Sequence, residues 1–174
     1  TRTVVWQEDF TAPNVGSVAR ISPSPRNSPL DGLAFAFSEP IQTATLDMDD
    51  LTLTLNGGPN LLTEAQTISF VSGNTFQING LTALTGEDGR YLLTVNGTGV
   101  VDLAGNTGVG SKSLNWLMDT LPPSSNIAAY SGNASQVIVL SITGADTISE
   151  NGATPSGIRN YDIYVATDNG PFLL

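Results

Sequence analysis

The sequence predicts an all-β fold in which β-sandwich modules follow one another along the chain. Short apolar or alternating runs are separated by turn residues at intervals of roughly 8–12 residues, and no run has a helical period. A signature of Trp, Asp and Pro with constant spacing also occurs twice, 110 residues apart. This interval is the size of one sandwich domain, so the repeat indicates an array of modules. The two copies are Trp6, Asp9 and Pro13, and Trp116, Asp119 and Pro123.

Eight candidate strands precede residue 120. The side chains of a strand point alternately to its two faces, so a half-buried strand alternates apolar and polar residues. Tyr91, Leu93 and Val95 share one face in this way. In chain order the candidates are residues 15–21, 33–37, 51–55, 67–71, 75–78, 91–95, 100–101 and 113–118.

Residues with turn chemistry connect these strands. Residues 56–59 tolerate positive φ, and residues 72–74 join two β-rich runs at hairpin distance. Three prolines prevent residues 21–30 from pairing as a central strand, so we expect an extended crossing between the sheets. Residues 46–50 are expected to form one helical turn capped by Thr45. Tyr91 follows a turn rich in Gly and Asp, an arrangement typical of the tyrosine corner of Greek-key sandwiches.

The character of the sequence changes from about residue 126. Residues 136–142 and 161–166 are two further candidate strands, with a polar loop between them and a turn at 168–170. Together they amount to about half of a sandwich, so we expect a truncated second module with an exposed apolar face.

Composition excludes several classes of function. The 174 residues include no Cys and no His, so thiolate and imidazole zinc sites and Ser–His or Cys–His catalytic dyads are excluded. Sixteen acidic and six basic residues give a net charge of −10, which disfavours nucleic acid and anionic membranes as partners. No run of about 18 apolar residues occurs, so no membrane insertion is expected. We expect the chain not to be an enzyme.

Three motifs in order give the sequence a family resemblance. They are F-S-E-P-I at 37–41, Y-L-L-T-V at 91–95 and V-D-L-A-G-N at 101–106. The chain resembles the bacterial Ig-like modules of large surface adhesins and S-layer proteins, the SbsA-type Ig-like domain in particular. Residues 156–165 are similar to part of a fibronectin-III-like module. The resemblance implies a terminal strand and linker of a preceding module at 1–9, an Ig-like Greek-key β-sandwich at 10–120 and a partial fibronectin-III-like module at 121–174.

Calcium is the candidate cation, because only hard oxygen ligands are available. The loop that begins at Asp102 supports two interpretations: an Asx-type turn, or a site formed by the Asp102 carboxylate and the Asn106 amide oxygen. Linker acids are further candidates, because the resemblance implies arrays whose junctions are stiffened by calcium. The cluster of Asp47, Asp49 and Asp50 is more typical of a solvated loop. The candidate ligands are Asp102, Asn106, Asp119, Glu8 and Asp9.

The resemblance implies a structural or adhesive repeat module of a large secreted or cell-surface bacterial protein. Its expected partners are neighbouring Ig-like modules of the same chain and a surface ligand, protein or glycan, that the sequence does not identify. The alternative is a carbohydrate-binding or accessory module of a secreted polysaccharide-degrading enzyme, in which exposed aromatic residues stack on sugars. Trp6 and Trp116 are candidates for that stacking, but their equivalent places before the linker favour packing at the end of the sandwich.

Overall fold

The structure, a computed structural model, describes residues 2, 8–128, 140–147 and 155–166. Within these residues it contains nine β-strands, two short 3-10 helices and no α-helix. The strands are β1 (Val15–Val18), β2 (Gly32–Phe37), β3 (Leu51–Leu55), β4 (Thr67–Ser72), β5 (Thr75–Asn79), β6 (Gly89–Asn96), β7 (Ser111–Met118), β8 (Ser124–Ala128) and β9 (Ser141–Ala145). The 3-10 helices, Thr43–Thr45 and Met48–Asp50, lie between β2 and β3.

The first seven strands form a two-layer sandwich. One sheet has the order β1-β2-β5-β4 and the other has the order β3-β6-β7, with antiparallel pairing throughout. Labelled A to G along the chain, these are the ABED and CFG sheets of an immunoglobulin constant-type sandwich. The prediction of an all-β sandwich is confirmed, and its strand order is Ig-like.

The core lies between the two sheets because inward positions alternate along the strands. In β6, Tyr91, Leu93 and Val95 are each 0% exposed, as the alternation predicted. Phe35, Phe37 and Phe76 pack together from β2 and β5, with ring centroids 6.0–6.4 Å apart. The largest fully buried side chains are Trp116, Tyr91, Phe35, Phe37, Leu51, Leu53, Ile78, Leu81, Leu93, Met118, Val95 and Val100.

Seven of the eight candidate strands correspond to β1–β7, with bounds that differ by up to three residues. The remaining candidate, a strand at residues 100–101, is wrong. Val100 accepts from the Gly108 N–H and donates its own N–H to Gly97, while Val101 makes a single bridge with Thr107. Val100 is used within its own loop, and the N–H and carbonyl of Val101 bond to the Thr45 hydroxyl and the Gln42 N–H, so no ladder forms there.

The predicted cap of the helical turn is also wrong. The turn is the 3-10 helix Met48–Asp50, and its cap is Asp47, whose side chain accepts from the Asp49 N–H at 2.9 Å. Asp50 in return accepts from the Asp47 N–H at 3.0 Å. The Thr45 hydroxyl instead accepts from the Val101 N–H at 2.9 Å, so Thr45 ties this segment to a distant loop.

The proline-rich segment crosses from the first sheet to the edge of the second. Arg26 makes a parallel bridge with Met118 at the end of β7. Its N–H donates to the Leu117 carbonyl at 3.0 Å, and its carbonyl accepts from the Asp119 N–H at 2.9 Å. The neighbouring Pro23 and Pro25 have no N–H to donate, which limits the pairing to this one residue.

The first and last strands of the sandwich are neighbours that run in the same direction. β1 lies against β7, and Asn14 makes a parallel bridge with Val109 just before β7 begins. The chain therefore enters at the end where β7 starts and leaves at the end where β7 stops, about 25 Å away along the strand. We call the end holding residues 9–14, 38–42 and 101–109 the N-terminal pole. The end holding residues 23–27, 86–88 and 118–121 is the C-terminal pole.

Beyond residue 120 the described residues form one small sheet, in which β8 pairs with β9. The predicted strand at 161–166 is wrong, because only Val165 takes part in a bridge there. Residues 136–139 and the predicted turn at 168–170 lie outside the described residues. Apolar side chains are exposed as expected, and they include Ile127 at 49%, Tyr164 at 58% and Val165 at 56%.

Tyr91 forms the predicted tyrosine corner. Its hydroxyl donates to the Glu87 carbonyl at 3.0 Å, in the turn that leads into β6. Its ring stacks on Trp116 of β7, with centroids 5.1 Å apart and an interplanar angle of 12°. Trp116 is 1% exposed, so it packs in the core; Trp6 lies outside the described residues.

We predict that Tyr91→Phe lowers the free energy of unfolding by about 1 kcal/mol, the net contribution of one hydrogen bond. The ring and its stacking on Trp116 are kept, so the loss reports the hydroxyl alone. Urea unfolding measures it. The matched control is Tyr164→Phe, at an exposed tyrosine, with an expected change within about 0.5 kcal/mol. Equal effects of the two substitutions would contradict the tyrosine corner as a stabilising contact.

Candidate functional site

Three segments that are distant in sequence meet at the N-terminal pole. The linker joins the turn after β2 through the Ser38 N–H, which donates to the Asn14 carbonyl at 2.8 Å. That turn joins the loop at 101–107 through the Gln42 N–H, which donates to the Val101 carbonyl at 2.8 Å. The Gln42 side chain also donates to the Asp102 carbonyl at 2.7 Å. Two of the three motifs behind the family resemblance therefore lie side by side.

Asp102 is a buried carboxylate, 1% exposed, that organises its own loop. Its Oδ1 accepts from the N–H groups of Gly105 at 2.6 Å and Asn106 at 2.7 Å, and its Oδ2 accepts from the Asn106 side chain at 2.8 Å. The sequence predicts positive φ at both Gly105 and Asn106 in an Asx-type turn. Gly105 has a φ of 99°, but Asn106 does not have a positive φ, so the prediction is wrong for Asn106. The geometry is the Asx-type turn that the sequence offered as one interpretation.

Hydrogen bonds lower the pKa of Asp102 below its ordinary value of 3.8. Burial alone raises the pKa, but the bonds from the side chain and N–H of Asn106 and from the N–H of Gly105 outweigh it. Asp102 is therefore a fixed negative charge at neutral pH.

Two more carboxylates converge on Asp102. Asp9 of the linker and Glu39 of the turn after β2 each place an oxygen so that the three groups lie within 4.8 Å of one another. Asp9 is held there because the Asn106 side chain donates to its carbonyl at 2.9 Å. The pKa of Glu39 is raised by partial burial, by the charges of Asp9 and Asp102, and by a hydrogen bond with the Asp9 side chain. The cluster is thus short of positive charge.

Either a proton or a cation relieves this repulsion. Three carboxylates offer the hard oxygen atoms that calcium and magnesium prefer, and calcium takes roughly six to eight of them. The Asn106 side chain points its nitrogen at Asp102 and Asp9, so its role here is to donate hydrogen bonds. The donor set fits a hard cation held by Asp9, Glu39 and Asp102, with Asn106 as the residue that orients two of them.

The structure brings together three of the five candidate ligands, Asp102, Asn106 and Asp9. Glu8 is exposed in the linker and does not belong to the carboxylate cluster. Asp119 lies at the opposite pole. Glu39 was missed as a ligand, although it belongs to the F-S-E-P-I motif. Its signal was the motif itself, because a carboxylate between Ser and Pro has little to contribute to strand packing.

Asp119 spans the junction with the residues that follow the sandwich. Its Oδ1 accepts from the Leu121 N–H at 3.3 Å, and its Oδ2 accepts from the Ser156 N–H at 2.7 Å. These bonds, together with one from the Ser156 hydroxyl, overcome the effect of burial and lower the pKa of Asp119. Among the described residues Asp119 belongs to no cluster of three acidic groups, so the interpretation of Asp119 as a turn residue is favoured over that of a metal ligand.

The two linker aspartates make the same local bond. Asp9 Oδ1 accepts from the Thr11 N–H at 2.9 Å, two residues ahead, as Asp119 Oδ1 accepts from the Leu121 N–H. The repeated signature therefore corresponds to a repeated Asx-type turn at the start of each linker.

No helix among the described residues is long and apolar enough to cross a membrane.

No family model matches the chain, and no curated protein matches it. Among solved structures it is similar to the N-terminal part of the bacterial S-layer protein SbsC, with 20% identity and a TM-score of 0.42 over 67% of this chain and 26% of that chain. Domains 1–6 of surface layer protein SbsC match with 20% identity and a TM-score of 0.38, over 68% of this chain and 15% of that chain. The chain spans about a quarter or less of either structure. The fold assignment rests on the strand order.

We predict that Glu39→Gln raises the melting temperature at pH 7 in the presence of a chelator. A carboxyl whose folded pKa is raised favours folding at low pH, and this contribution is lost as the pH rises through the folded value. The amide of the variant does not ionise, so the variant does not lose this stability. The difference in melting temperature between variant and parent should therefore shrink towards pH 4. Calorimetry at both pH values measures it.

The control for this prediction is Glu64→Gln, at an exposed glutamate in the turn before β4. It should leave the melting temperature nearly unchanged at both pH values. A lower melting temperature for Glu39→Gln at pH 7 would show that the Glu39 carboxylate is stabilised by its surroundings, against the prediction.

Proposed function

We propose that this chain is a non-catalytic structural segment of a large secreted or cell-surface bacterial protein, in which the sandwich acts as an extender between neighbouring modules. The observation that carries the proposal is the position of the two ends of the sandwich, where β1 begins and β7 stops. Because β1 and β7 are parallel neighbours, the chain enters at one pole and leaves at the other. Modules joined in this way add their full length to an array.

The same geometry suits the sandwich to bear tension. Pulling on the two ends slides β1 and β7 past each other, which loads the bonds between them together. These bonds include the Val109 N–H to the Pro13 carbonyl at 2.9 Å and the Lys112 ammonium to the Gly16 carbonyl. At the other pole, the bonds of Arg26 with Leu117 and Asp119 tie the proline-rich crossing to the end of β7.

A carbohydrate-binding role, the alternative, has less support. Trp116 is buried against Tyr91 and offers no face to a sugar. Phe10 and Phe70 are exposed, at 81% and 57%, but one lies in the linker and the other on the edge strand β4. An adhesive role requires a surface ligand, and the extender role is the one that the strand geometry supports.

Calcium at the N-terminal pole is our second proposal. It is supported by the three carboxylates of Asp9, Glu39 and Asp102, which come from the linker and from two loops of the sandwich. A cation held by all three joins the linker to the sandwich and restricts the hinge between them. Rigidity of the array then depends on the calcium concentration around it.

The extender role predicts mechanical resistance. When the full chain is stretched from its ends, the sandwich should unfold in one step that releases about 100 residues, a gain of roughly 300 Å. Lys112→Ala removes a bond between β7 and β1 and should lower the unfolding force. Single-molecule force spectroscopy measures both.

The matched control is Arg90→Ala, at an exposed basic residue whose side chain reaches Asn115 within the same sheet. Its unfolding force should stay close to that of the parent. Gradual extension without a force peak, or equal effects of the two substitutions, would be incompatible with the extender proposal.

The calcium proposal predicts that millimolar calcium raises the melting temperature of the full chain by several degrees relative to chelator. Ligand that binds only the folded state stabilises it by mass action. Glu39→Gln should abolish the shift, and Asp119→Ala should preserve it, because Asp119 lies at the opposite pole, away from the carboxylate cluster. An unchanged melting temperature in calcium would reject the cation and leave the extender role standing.

A further inference from the structure

Asp119 lies at the junction between the sandwich and the residues that follow it. A cleft of about 650 Å³ lies between the C-terminal pole and the residues that follow it. Pro23, Pro25 and Arg26 line it from the sandwich, and Ser156 and Arg159 line it from the following residues. Asp119 sits within this cleft and bonds to both sides, through the Arg26 carbonyl and the Ser156 N–H.

Asp9 is the equivalent of Asp119 in the first copy of the signature, and it makes the same turn. The surroundings of Asp119 therefore predict what lies near Asp9 when another sandwich precedes the linker. By this equivalence, the preceding sandwich places its proline-rich crossing, with the residue corresponding to Arg26, beside Asp9.

The N-terminal pole has a surface that matches such a neighbour. Asp9, Glu39 and Asp102 form its acidic centre. Phe10 and Leu103 lie next to this centre in sequence and are 81% and 71% exposed, which is unusual for large apolar side chains.

We propose that the N-terminal pole is a docking surface for the C-terminal pole of a preceding copy of the same sandwich. When no metal ion is bound, the Arg26 of the preceding copy provides the positive charge that the carboxylate cluster lacks, and its Pro23 and Pro25 cover Phe10 and Leu103. The inference rests on the proposed function, because it requires modules in tandem, and it deepens that function by naming the contact between them.

The position of Arg26 supports this choice of partner. Arg26 is the one basic residue of the C-terminal pole, which also holds Glu87, Asp88 and Asp119, and it lines the cleft in which Asp119 lies. Arg26 is also held in place, since its guanidinium donates to the carbonyls of Ser28 and Pro29. A charge that is fixed before docking loses little side-chain entropy when the contact forms.

The test is a longer chain in which residues 10–119 precede residues 10–174, so that Asp119 of the first copy takes the place of Asp9. The protein has no Cys, so Thr52→Cys in each copy gives two unique spin labels on an exposed strand position. Pulsed electron paramagnetic resonance then measures the distance between the sandwiches. We expect one narrow distribution in chelator.

Variants at the middle junction identify the contact. Phe10→Ser or Leu103→Ser in the second copy, and Arg26→Gln in the first, should each broaden the distribution. High salt should do the same, because the attraction between Arg26 and the carboxylates is screened. The control is Leu92→Ser, at a partly exposed leucine in the middle of β6, which should leave the distribution narrow.

A broad distribution in the parent would overturn the docking proposal, and so would a narrow one that Phe10→Ser and Arg26→Gln leave unchanged. A distance distribution that becomes narrow only when calcium is added would assign the acidic centre to a metal ion and overturn the role of Arg26. Stretching the same chain separates the two proposals. Two single-step unfolding events together with a broad distance distribution would reject docking but keep the extender role.

Discussion

The parallel contact between β1 and β7 is the constraint on which the rest of this structure depends. It closes the sandwich along one side, and it also decides where the polypeptide enters and leaves. If the two strands ran in opposite directions, both linkers would emerge at the same pole, and a second module would fold back on the first. The bridges of Asn14 with Val109 and of Arg26 with Met118 fix this direction at the two ends of the sandwich.

Local patterns predicted most of the sandwich, because strands such as β2, β5 and β6 alternate between buried and more exposed positions. Tyr91 was recognisable as a tyrosine corner from the turn before it. β8 was missed, since its five residues are all exposed and carry no alternation. Glu39 was missed for a different reason. It meets Asp102 through tertiary contacts of the turn after β2, among them the bridge between Ile41 and Asp102, which no short window of sequence contains.

Two linker aspartates with the same spacing and the same turn perform different tasks. Asp119 accepts hydrogen bonds from Leu121 and Ser156 and belongs to no cluster of acidic groups among the described residues. Asp9 shares its surroundings with two other carboxylates, and that pole has an excess of negative charge. The difference arises from what the neighbouring loops present, a Ser156 N–H in one case and Glu39 with Asp102 in the other. The repeated motif sets the backbone conformation of the turn, whereas the neighbouring loops determine what each aspartate carboxylate faces.

The hydrogen bonds of Thr120 with Asp88 have a consequence for arrays. Asp88 lies next to Glu87, the acceptor of the Tyr91 hydroxyl, and its Oδ1 accepts from both the N–H and the hydroxyl of Thr120 at 2.8 Å. The linker is thereby attached to a turn that the core itself holds in place, which sets the rotation of the outgoing chain about the long axis. An identical head-to-tail step, repeated without closing on itself, generates a helix. The pitch and handedness of such a filament would then be determined by one loop of each module, the turn that holds Asp88.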